Sequence, residues 1–115
     1  MRIVFRDRKT QKVFNSDKEL NRKYGTALAK RIKQRMAELN AAESLQMVSH
    51  LPPPRCHELE GGGHHFSVDV SGNMRLVFCA YGESEEREDG GLDLTSVRTI
   101  CIETVRDTHD GKVRR

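Results

Sequence analysis

The chain has 115 residues, 36% apolar and 32% charged, with a net charge of +3. That composition fits one domain around a single modest core and excludes a fully disordered chain. No apolar run approaches the roughly 20 residues of a membrane helix, and Asp7 and Arg8 interrupt the start before a signal-peptide core can form. A cytoplasmic protein with no membrane partner is expected. The charge is uneven, with 14 Lys/Arg against 8 Asp/Glu in residues 1–80 and 6 against 9 in residues 81–115. A basic body suits a polyanion such as RNA, or a solvated helix face. Cys56, Cys79 and Cys101 form no CxxC pair, which suits a reducing compartment better than a disulfide framework. Cys79 and Cys101 sit in apolar runs, where a thiol acts as a small hydrophobe.

In chain order, residues 2–5 predict a short strand. Ser16-Asp17-Lys18-Glu19 matches a capping box and starts a helix to about Tyr24, which Gly25 ends. Thr26 is expected to cap a second helix to about Asn40, whose apolar stripe is Leu28, Ile32, Met36 and Leu39. Lys30, Arg31, Lys33 and Arg35 fall mostly off that stripe, as a solvated face. Residues 43–48 offer a third helical turn, and Pro52-Pro53-Pro54 stops it. Phe66, Val68 and Val70 alternate with polar residues, Ser71-Gly72-Asn73 is a turn, and Met74 to Ala80 is apolar, so 65–80 predicts a β-hairpin. An acidic loop over 82–96 precedes a final strand, Thr99 to Val105, and a charged tail from Asp110. Helices first and strands after predict a single α+β domain over 1–115, with two to three helices on a mainly antiparallel sheet.

Three histidines fall in Arg55–Phe78. Cys56, His57, His64 and His65 match no common zinc spacing, and adjacent strand residues diverge, so no metal is expected. Acid–base chemistry is better served. Cleavage of RNA through its 2′-hydroxyl needs a base, an acid and positive charge on the transition state. His57, His109, Asp107 and Arg75 are residues of those types. Gly61-Gly62-Gly63 is no recognisable phosphate loop.

The chain resembles the HigB branch of the RelE/ParE toxin superfamily. The resemblance runs through the strand–helix–helix start, "KYG" at Lys23, "SHLPPPRCHELEG" at Ser49, "FSVDVSGNMRLVF" at Phe66, "DGGLDLTSV" at Asp89 and "IETVRDTH" ending at His109. It implies the RelE/ParE-like fold and a ribosome-dependent endoribonuclease that cuts mRNA, paired with a helix-turn-helix antitoxin and needing no cofactor. It implies His57, Arg75, Asp107 and His109 as active-site residues, and Arg55 as a structural or RNA-orienting group. His64 and His65 fall in a loop that faces RNA in the family. Thr108 stands where the family usually has tyrosine, Glu60 where lysine is common, and Gly61 to His65 where Lys or Arg is usual. Two other expectations stand beside this one: a non-catalytic protein that keeps the antitoxin surface, and a ParE-like inhibitor of DNA gyrase.

Overall fold

A computed structural model describes residues 1–61 and 63–107. Strand β1 (Arg2–Phe5) is followed by helices α1 (Arg8–Phe14), α2 (Asp17–Tyr24) and α3 (Thr26–Ala41), then by β2 (His57–Glu58), β3 (His65–Ser71), β4 (Met74–Ala80) and β5 (Thr99–Asp107). Short 3₁₀ turns lie at Leu45–Met47 and Leu94–Ser96. The architecture is α+β. The five strands run in the order β1-β5-β4-β3-β2, with β1 parallel to β5 and the other pairs antiparallel. No helix among the described residues is long and apolar enough to cross a membrane.

Local chemistry sets most boundaries. The Ser16 hydroxyl accepts from the Glu19 backbone N–H at 3.1 Å and opens α2, as the capping box predicts. Helix α1 has the same device in a form the sequence reading passed over, because Asp7 accepts from the Thr10 N–H at 2.7 Å. Gly25, at φ +82°, stands between α2 and α3. It takes the cap position expected of Thr26, which is instead the first residue of α3, and no side chain bonds to that helix start.

One face of the sheet packs on α3. Phe66, Val68, Val70, Leu76, Phe78, Ile100, Ile102 and Val105 meet Ala29, Ile32 and Leu39 there. Arg35 corrects the expectation of a wholly solvated basic face. It is 4% exposed, its Nη1 donates to both Glu38 oxygens at 3.0 and 2.8 Å, and its Nε donates to the Asp69 carbonyl at 2.7 Å. This chain of bonds ties α3 to β3.

Candidate functional site

The other face of the sheet is polar, and strand register arranges it in three rows. Residues paired across strands share a face, and alternation carries the next ones to the opposite side. The middle row is His57, Ser67, Val77 and Thr104. Ser67 and Val77 are fully buried and make its floor. One step along the strands, Asp69, Arg75 and Arg106 form a second row, about 7 Å from the first by the strand rise. On the other side His65, Cys79 and Cys101 form a third. A β-bulge opposite Val77/Phe78 leaves Glu103 as the unpaired extra residue of β5.

His57 is half-buried. Its Nε2 lies 3.5 Å from Ser67 Oγ and its Nδ1 lies 3.4 Å from the Glu58 carbonyl oxygen. Both distances are at the long limit of a hydrogen bond. Asp69 is the anchor of the second row. Arg55 donates to it from Nε at 2.8 Å and from Nη2 at 3.0 Å, and Arg75 Nε lies 2.8 Å from Oδ1. The bonds to Asp69 hold the Arg55 guanidinium still more firmly charged than usual. Arg75 also donates from Nη1 to the carbonyls of Gly72, at 2.6 Å, and Met74, at 3.2 Å, so it clamps the hairpin turn. Arg106, its cross-strand neighbour, is different. Arg106 Nη1 is buried and has no hydrogen-bond partner among the described residues. A buried cationic N–H without an acceptor is costly.

The structure therefore brings His57, Arg55, Arg75 and His65 to one face. His64 leaves it. At φ +51°, it turns its ring toward Glu58, with Nδ1 3.6 Å from Oε2. Asp107 pairs with Met74 at the end of β5, a register position alternate to that of Arg106. His109 and Thr108 lie outside the described residues. Sequence reasoning missed Arg106, whose only sequence signal is its position three residues before His109. Alternation puts Cys79 and Cys101 on this face, with Cys101 buried and Cys79 partly buried. Cys56 sits in the helix-packed core, where burial pushes its thiol up to about 12. That leaves it too little thiolate to act as a nucleophile.

Concavities border the face, one of about 120 Å³ lined by Thr10, Phe14, Tyr24, Glu103 and Thr104. A cleft of about 160 Å³ beside β2 is lined by Leu45, Val48, His50, Cys56, His57 and Phe66. A larger cavity, about 770 Å³, lies in the loop after β4, between Glu83, Glu85, Asp93, Thr95, Ser96 and Arg98. Its three carboxylates make it a poor seat for a phosphodiester. Among ligand-type groups, His65, Cys79 and Glu103 each place one atom within 4.8 Å of the others. Comparison with protein-family models, curated proteins and solved structures finds no match to this chain.

Proposed function

We propose that the chain is the toxin of a type II toxin–antitoxin pair of the RelE/ParE kind, a ribosome-dependent endoribonuclease that cuts translated mRNA. The observation that carries this reading is the register that sets the Arg75–Arg106 pair beside His57 on one sheet face, with Arg106 Nη1 unpartnered among the described residues. A phosphodiester on that face meets the cationic Arg75–Arg106 row, about 7 Å from the row that holds His57. In the reaction a base takes the 2′-hydroxyl proton, the 2′-oxygen attacks phosphorus, and the 5′-oxygen leaves with a proton from an acid. His57 is one proton-transfer group and His109 the other, with Asp107 orienting its neighbour. Arg106 and Arg75 stabilise the charge that develops on the phosphate. The cleft beside His57, walled by Leu45, Val48 and Phe66, offers a seat for one unstacked base. The ribosome and its mRNA are the substrate complex, and a helix-turn-helix antitoxin is the partner.

The test is primer extension on a reporter mRNA, with and without its start codon, after induction of this chain. Cutting of the translated message alone is expected. Equal cutting of both rules out ribosome dependence, and growth arrest with intact mRNA and damaged DNA supports a gyrase inhibitor. One observation favours a second reading, a non-catalytic binder that keeps the antitoxin surface: Asp69 engages both Arg55 and Arg75, which spends part of the face's charge internally. A folded chain that binds an antitoxin and leaves mRNA whole is that protein.

A further inference from the structure

The third row of the polar face is unused by the nuclease chemistry above. His65 on β3, Cys79 on β4 and Glu103 on β5 are far apart in sequence and meet only through the sheet. One ligand-type atom from each lies within 4.8 Å of the other two, and all three residues are partly buried. His65 Nε2 is 2.9 Å from Glu103 Oε2. Cys101 is the cross-strand partner of Cys79. The bulge matters here, because the unpaired Glu103 is the residue it adds to β5, and bulges commonly re-aim a side chain in this way.

We propose that His65 Nε2, Cys79 Sγ and Glu103 Oε2 form a binding site for a thiophilic divalent cation, zinc by its donor set. Imidazole nitrogen, thiolate sulfur and carboxylate oxygen are the three donor types that zinc takes, at bonds of about 2.0–2.3 Å. In a tetrahedron those bonds set donors about 3.3–3.8 Å apart. The cluster has to close by only about 1 Å at its widest to reach that geometry. The charges fit as well: on binding the thiol proton passes to solvent, and one thiolate and one carboxylate together neutralise a dication.

The glycine run has a part in this site. A Cβ at Gly63, which sits at φ +74°, would lie 2.9 Å from both Cε1 and Nδ1 of His65. The Gly63 backbone thus packs against one edge of the ring, with Nε2 bonded to Glu103. A ring held at its far edge keeps its ligand atom oriented, as outer-shell contacts do in metal sites.

The experiment uses the full chain, kept reduced and stripped with a chelator, then titrated with Co²⁺ and back-titrated with Zn²⁺. One equivalent of Co²⁺ should give tetrahedral visible bands and a near-ultraviolet thiolate-to-cobalt band, and Zn²⁺ should bleach both. Zinc affinity should fall at least about tenfold in Cys79→Ser, His65→Ala and Glu103→Gln and stay unchanged in Cys56→Ala. Absence of the thiolate-to-cobalt band at saturating metal overturns the proposal, whether or not the variants fold. So does a folded Cys79→Ser or Glu103→Gln chain that binds zinc as tightly as the original.

Discussion

Asp69 and Arg55 meet edge to edge, with Nε on Oδ2 at 2.8 Å and Nη2 on Oδ1 at 3.0 Å. The pair fixes the segment before β2, where Arg55 holds a left-handed φ of +45° that side-chain-bearing residues seldom adopt. The same carboxylate holds Arg75, whose side chain is only 10% exposed. Replacing Asp69 with alanine strands that guanidinium, so a loss of about 2–3 kcal/mol is expected, at or below the lower end for a broken buried pair because Asp69 is partly exposed. Asp69→Asn should lose less, since the amide oxygen still accepts. Urea denaturation measures both, and a loss under about 1 kcal/mol for Asp69→Ala would mean that solvent screens the hub.

Arg106→Met should separate function from stability. The variant removes the buried donor that has no partner among the described residues, so the fold should hold its stability or gain up to about 1–2 kcal/mol. Cleavage should fall about 100-fold, because the lost charge acts on the transition state. Thermal unfolding and single-turnover cleavage measured on one preparation decide it. A destabilised variant with full activity contradicts the assignment.

Elements that rest on local chemistry were legible in the sequence, and contacts between distant strands were not. The α2 capping box and the β3–β4 hairpin each lie within a few residues, and both appear where the pattern puts them. Helix α1 escaped because Arg8–Phe14 carries apolar side chains only at Val13 and Phe14, too few to make a stripe. Strand β2 has two residues, too short for any alternation. Arg35 reads as surface from charge alone, and its burial depends on Glu38 and a carbonyl 34 residues away. The polar face was legible only in part. His57 and Arg75 stand out as residue types and through the family resemblance. Grouping Arg106, Cys79 and Glu103 requires the β4–β5 register, and Glu103 further requires the bulge, which no periodicity announces.

Alkaline pH should weaken the fold through Cys56. Its thiol is pushed from 9.0 to about 12 by burial. The folded-state value is the higher, so this contribution is complete below pH 9, where both states keep the proton. It is lost as pH rises toward 12, because the unfolded chain releases the proton first. The loss is on the order of 4 kcal/mol at most across that window. Urea midpoints at pH 8 and pH 10.5 should fall more steeply for the original chain than for Cys56→Ala. Parallel slopes would show that the thiol does not contribute.

The acidic loop should be dispensable for cleavage. Its end is anchored by the buried Leu92 and Val97, and its tip is closed on itself by Arg87, which donates to Asp89 at 2.6 Å. Six acids face one arginine between Glu83 and Asp93, and each exposed charge repels phosphate by about 1 kcal/mol or less. Deleting residues 84–90 should leave cleavage within about twofold, or raise it slightly at low salt. Lost cleavage in a folded deletion would place the loop in the RNA site.

Single-turnover cleavage of mRNA on programmed ribosomes, by the original chain and by His57→Ala, tests the central claim most directly. Circular dichroism of each protein first establishes that it is folded. A proton-transfer group acts on charge that develops only in the transition state, so His57→Ala should lose about 100-fold or more in rate. His64→Ala, whose ring faces Glu58, should lose a few-fold at most, and His109→Ala should match His57→Ala. Full activity in a folded His57→Ala chain would contradict the account.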